Sequence, residues 1–426
     1  MRRAILDGRA GFDGSCGQGT KYSLYSIKVG CKMNATVSNY IKTGAASLQR
    51  FNIHFVFSGI GAFEMSASSV WRFAAGLSIT FVTASFLMVV SAQQKTAQGY
   101  HLIKTISLPP APGGDEYYDY LTVDADARRL YVSHGTEVVV LDADNYSVIG
   151  KIGGLSRSHG VAIAKDLGKG FISDGDSRPG GTVQQVVFFD LKTLKVTGKV
   201  ATGQFDTDAI IYEPVSKHIF TFNGDSHNST VIDPEKQAVV ATIDLVGKVE
   251  FPAVDGKGML YDNNPEKNDV VAIDARTNTI KARWPTAPEG APTSMAMDQK
   301  TRRLFSSGRG PQFVTMMNAD TGKVLASYPI SAGVDANAFD PATGLLYVST
   351  REGMLHIFHE DSPDKLSEVE TVKTEYGAKT CQIDPKTQRV FLSTSDFNPP
   401  AARTERQPNP LPTAKPGNFR VLVYGR

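Results

Sequence analysis

Cysteine is nearly missing: the 426 residues include three, with no C-x-x-C pair and no C-x-x-C-H. That excludes a disulfide scaffold, a cysteine zinc site and covalently attached haem. No G-x-S-x-G, H-E-x-x-H or Walker sequence occurs. Gly-x-Gly at Gly168/Gly170, Gly256/Gly258 and Gly308/Gly310 completes no nucleotide fingerprint. Neither sign of charge is in surplus, with 45 basic residues against 43 acidic ones, so nucleic acid is an unsuitable partner. Turn residues are plentiful instead, 39 glycines and 22 prolines, and the 41% hydrophobic and 21% charged content is that of a globular protein.

One long hydrophobic run interrupts this pattern. Phe73–Val90 carries no charge, follows Arg72 and precedes Ser91 and Ala92. Counted from Met65, it reads as a secretory signal cut near Ala92. An uncleaved anchor is the alternative, since eighteen residues reach the lower limit for a span. Residues 1–64 then read as a non-native or disordered upstream extension, 65–92 as the signal, and 100–426 as the folded protein. Its expected location is periplasmic or secreted, with no membrane span after cleavage. Nine basic but only three acidic residues lie in positions 1–92, so the remainder is mildly acidic.

That remainder is repetitive. An acid, a short turn and an apolar-aromatic strand recur seven times: VDADARRLYVS (123–133), IAKDLGKGFIS (163–173), YEPVSKHIFTF (212–222), VDGKGMLYD (254–262), MDQKTRRLFSS (297–307), FDPATGLLYVS (339–349) and IDPKTQRVFLS (383–393). From Asp124 to Asp384 the spacing averages about 43 residues, the length of a four-stranded propeller blade. A strand–turn–strand signature such as VVVLDADNYSVIGKI (138–152) or VVFFDLKTLKVTGKV (186–200) follows each of the first five copies. Runs such as VVVLD are continuously apolar, as a strand covered on both faces requires. The D-P-x-T and D-A-x-T/N acids read as turn residues bonding their own backbone. Tyr100–Leu108 matches a fourth strand and Arg420–Tyr424 a third. The expected fold is therefore all-β: a single seven-bladed β-propeller of four-stranded antiparallel blades, closed by an N-terminal strand completing the last blade.

YVS at 131–133 and 347–349, set after D-x-x-x-x-x-L and before the strand pair, resembles the YVTN-type β-propeller repeat of the YncE-like proteins over about residues 100–426. The resemblance implies a propeller. Propellers of this kind host lyases, lactonases, dehydrogenase subunits and binding modules alike, so it does not choose a function.

The loops entering the innermost strands and those joining second to third strands should share the face around the axial funnel. Five residues before the turn acid stand Asp119, Asp208, Thr293, Asp335 and Lys379, with His159 and Glu250 at the corresponding places of the second and fourth copies. The second-to-third loops add Asp174, Arg178, Asp225, Arg309 and Arg351, all expected ligand-binding residues. Oxygen-rich rings with an imidazole suit a hard divalent cation or a polyol. Asp119, His159 and Asp208 are the expected metal ligands, with a divalent cation as the cofactor. His218, His356 and His359 read as surface or packed residues, and Cys381 as a buried free thiol. The Pro-rich segment 395–418 should project over the same face as a partial lid or a partner's handle.

The leading expectation is an exported, non-enzymatic binding or scaffold propeller, acting as a monomer and offering its polar funnel to a small ligand, a cell-envelope polymer or a protein. A lactonase-like hydrolase or lyase is the alternative, with a metal, or His159 with Arg178, polarising a carbonyl. A redox-partner propeller is the third.

Overall fold

The computed structural model describes residues 99–178, 181–403, 410 and 412–426, together with the backbone of Ser23–Val29 and Met33–Asn39. The latter two strands pair as an antiparallel hairpin within the expected extension and belong to a unit, Met1–Gln94, separate from Lys95–Arg426. The expected signal at 65–92 lies outside the described residues.

Residues 101–425 form seven four-stranded antiparallel sheets. Each has the order innermost, second, third, outer. Blade 1 covers Tyr118–Gly153, blade 2 Ser158–Ala201, blade 3 Thr207–Asp244, blade 4 Pro252–Pro285, blade 5 Pro292–Pro329 and blade 6 Val334–Lys373. Blade 7 takes three strands from Cys381–Gly425 and its outer strand, His101–Ser107, from the other end of the chain, in the register His101↔Gly425 to Ser107↔Arg420. The innermost strands meet their neighbours all the way round, including Cys381–Asp384 against Tyr118–Asp124, so the ring is closed.

The turn acids hold the turns as their sequence suggests. Asp124 Oδ1 accepts from the backbone N–H of Asp126 and Ala127, and Asp298 and Asp384 repeat the pattern.

The apolar side chains of the described residues are gathered between blades. The described residues contain seven apolar clusters, one at each blade–blade interface. Alternation along one strand feeds two of them: Val138 and Val140 pack toward blade 2, while Val139 and Leu141 pack toward blade 7. This is why the third strands carry apolar residues on both faces. Outer strands such as Val148–Gly153 are largely exposed.

Candidate functional site

A local irregularity of the repeat builds the site. In blades 1, 2 and 3 the pairing of the first two strands skips between Tyr118 and Leu121, between Ser158 and Val161 and between Thr207 and Ile210; in blades 5 and 6 it skips past Thr293 and Asp335. The skipped positions include Asp119, His159, Asp208, Thr293 and Asp335. A bulge of this kind frees a side chain from the ladder and re-aims it. In blades 4 and 7 the innermost strand begins late, at Pro252 and Cys381, leaving Glu250 and Lys379 just ahead of it.

Six of the seven positions join in one chain of contacts. Asp208 Oδ1 lies 3.0 Å from His159 Nδ1, and the same nitrogen lies 3.0 Å from Asp119 Oδ2. Lys379 Nζ donates to Asp119 Oδ1 at 3.1 Å and also to Asp335 Oδ2. Asp335 Oδ1 pairs with Arg309, whose guanidinium stands 3.9 Å from Glu250 Oε1. Acidic and basic groups alternate throughout: Asp208, His159, Asp119, Lys379, Asp335, Arg309, Glu250. Thr293 is the exception, its hydroxyl donating to the Ala291 carbonyl within its own loop. Arg309, from the second-to-third loop of blade 5, supplies the charge that Thr293 does not.

His159 is 1% exposed. Its Nε2 faces the Gly175 carbonyl at 2.8 Å while Nδ1 faces two carboxylates, so both nitrogens point at acceptors and the ring is an imidazolium. Burial opposes that charge, but Asp208 and Asp119 outweigh it and raise the imidazole well above its ordinary range. For Asp119 burial is likewise overcome, and the Lys379 ammonium and His159 hold its carboxyl well below the usual range. Tyr117 OH adds a 2.7 Å bond to Asp119 Oδ2. The expected metal ligands thus do converge, with one ligand atom from each of Asp119, His159 and Asp208 within 4.8 Å of the others. A divalent ion ligated through Nδ1 would have to displace the proton shared there.

Blades 4 and 5 are different. Burial, with Arg309 opposing, pushes the Glu250 carboxyl up to about 8, and burial, with Ser306 opposing, does the same to Glu289. Asp262 is fully buried, neither carboxyl oxygen has a hydrogen-bond partner, and burial and Glu250 raise it well above the carboxylate range. The Ser306 hydroxyl lies between two acceptors, donating toward Glu289 Oε1 at 2.7 Å and Asn263 Oδ1 at 2.9 Å.

Over blades 6, 7, 1 and 2 lies a cavity of about 420 Å³. Tyr117, Tyr118 and Phe397 give it aromatic walls, and Arg157, Arg351 and Lys379 give it cations. The Pro-rich segment supplies one side through Phe397, Pro412, Thr413 and Ala414, with Phe397 and Ala414 joined by a β-bridge. Gly377, at φ +84°, makes room for this wall: a Cβ there would stand 2.4 Å from the Phe397 ring. Further along the innermost strands the channel becomes apolar, a space of about 340 Å³ lined by Tyr120, Ile163, Ile210, Ile211 and Phe251 among others.

The remaining expected residues fall elsewhere. Asp174 is buried and takes the backbone N–H groups of Ser156 and Arg157, so it shapes the loop that carries Arg157. Arg178 pairs with Asp176 and Asp115 at the rim. Asp225 is exposed and borders a separate depression with Asp206 and Phe205. Cys381 is buried and free, as expected. Sequence reasoning missed Tyr117, Arg157 and Phe397, which occupy loops outside the period. Tyr117 and Arg157 each stand two residues before a belt position, the one signal that would have found them.

No family model matches the chain, and no curated protein matches it.

Proposed function

We propose that the protein is an exported, non-enzymatic binding propeller of the YncE-like kind, with its small-molecule site in the cavity over blades 6, 7, 1 and 2. The carrying observation is the cavity itself. Its volume of about 420 Å³ falls in the range of small-ligand sites, and loops of four blades converge on it, including Phe397 and Pro412–Ala414 of the Pro-rich segment. Below it, the belt groups are committed to one another: the ionised carboxylates pair with cations, and the His159 imidazolium has no lone pair to offer as a base. That supports binding over lactone hydrolysis. The uncharged run at Phe73–Val90 supports export.

A thermal-shift screen of the full chain against sugars, organic acids and lactones tests this reading. A binder should raise the melting temperature by about 2 °C or more, and Ala414→Trp, which fills the cavity, should abolish the shift. Turnover of any lactone, lost in Asp208→Ala, would replace binding with hydrolysis; a shift that survives Ala414→Trp would move the site.

A further inference from the structure

The charges around the cavity are unequally satisfied, and the imbalance has a sign. Asp115 Oδ2 lies 3.5 Å from Arg157 and 3.4 Å from Arg178, while its Oδ1 accepts from the Tyr117 N–H. Glu116 is 5% exposed and is bonded at 2.9 Å to His134, which stacks on Phe419 behind the wall. Lys379 is shared between Asp119 and Asp335. The Arg157 guanidinium lies 4.1 Å over the Tyr117 ring.

Arg157 Nε is buried without a hydrogen-bond partner, and Arg351 is less satisfied still. Among the described residues no carboxylate lies within 4.0 Å of its guanidinium, and no side-chain hydrogen bond engages it. The nearby acids are already used: Glu352 accepts from the Ala332 N–H, and Glu375 pairs with Arg420. Its backbone, by contrast, is fixed, with the N–H donating to the Gly333 carbonyl and the carbonyl accepting from the Gly377 N–H. A guanidinium anchored at its base and uncommitted at its tip offers a planar fork of donors, which matches a carboxylate bidentately. Beside it stand the aromatic walls of Tyr117, Tyr118 and Phe397, which favour a flat apolar body.

We infer that the ligand of this cavity is an aromatic carboxylate, its carboxylate on Arg351 and its ring against Tyr117 and Phe397. This rests on the cavity being the binding site. Lys379 adds positive potential at the floor without leaving its own carboxylates, and the apolar ring replaces water against the tyrosine and phenylalanine faces.

Ligand-observed NMR titration of the full chain, with benzoate as probe and benzamide, benzylamine and acetate as comparators, tests the inference. Benzoate should bind at least tenfold more tightly than the neutral benzamide, benzylamine should be weakest, and acetate should lose most of the affinity. In Arg351→Gln the benzoate preference should fall to within about twofold of benzamide, while Arg351→Lys should retain part of it. Because Arg351 supports no partner among the described residues, both variants should melt within a degree or two of the parent, which checks folding. Equal binding of benzoate and benzamide to the parent chain, absence of binding by any aromatic probe, or an unchanged preference in Arg351→Gln overturns the inference. A neutral or cationic compound from the broader screen that is blocked by Ala414→Trp would leave the cavity as the site while removing the carboxylate. Benzoate binding that Ala414→Trp leaves intact would instead remove the cavity.

Discussion

Asp119 and Glu250 hold the same place in their repeats, yet one is kept ionised and the other keeps its proton. Asp119 has an ammonium at 3.1 Å, an imidazolium at 3.0 Å and a phenol at 2.7 Å. Glu250 has only a guanidinium at 3.9 Å and lies near the buried, unpartnered Asp262. On the side of blades 6, 7, 1 and 2, desolvation is offset by opposite charges; on the side of blades 4 and 5, the charge itself is given up. Burial alone does not set the ionisation state of a ring position. The distance to the nearest cation does, and a difference of under 1 Å, together with the number of partners, separates the two outcomes.

The largest effect is expected from breaking the paired side. Lys379→Met leaves the carboxylates of Asp119 and Asp335 without their shared ammonium, and should cost about 3–5 kcal/mol in a denaturant melt at pH 7. A loss below about 1 kcal/mol would mean that water already compensates these groups.

The neutral side should respond to pH rather than to mutation at neutral pH. Glu250 and Glu289, raised to about 8 in the fold, retain protons that the unfolded chain releases near pH 4.3. Stability should therefore fall as pH rises through this interval, by roughly 3 to 4 kcal/mol for each of the two groups between pH 5 and 8. The double variant Glu250→Gln/Glu289→Gln should lose less than about half as much, and at pH 5 should differ little from the parent. His159 acts in the same direction above its ordinary range near 6.5, because its folded form holds a proton that the unfolded form gives up, so the interval below pH 6.5 reports mainly on carboxyls. A parent chain that becomes more stable between pH 5 and 6.5 would show these carboxyls to be ionised.

The smallest effect concerns the His159 cluster. With the imidazolium bonded to the Asp119 carboxylate and the Gly175 carbonyl and the Asp208 carboxylate 3.0 Å away, millimolar calcium or zinc should move the melting temperature by less than about 1 °C at pH 7. A rise of several degrees that Asp208→Asn removes would assign the cluster to a metal and set it apart from both sides of the belt.

Much of this belt was legible because the repeat is regular. Counting back from the turn acid located Asp119, Asp208, Asp335 and Lys379 without knowledge of the fold, since equivalent positions of a radial repeat must converge on its axis. Arg309 was visible only as a loop residue. Its role as the link between Asp335 and Glu250 depends on Thr293 being too short to reach. The loop-holding part of Asp174 was not legible, because a polar residue at a strand end looks the same whether it faces a ligand or holds two backbone N–H groups. The cavity was least legible, because Phe397 lies on a segment with no period, and Tyr117 and Arg157, each two residues before a belt position, share no residue type there. The protonation of Glu250, Glu289 and Asp262 depends on neighbours distant in the chain and has no local signature.

The strand His101–Ser107 completes blade 7 beside Arg420–Gly425, more than 300 residues away in the chain. Blade 7 therefore cannot close until Arg420–Gly425 has been made: the segment that emerges earlier waits for the one more than 300 residues behind it. Every interface cluster draws on two blades, so the half-built molecule carries open apolar faces at both ends of its growing arc. The joint that makes the finished ring durable thus also makes its assembly depend on keeping two distant chain segments apart from other partners until they meet.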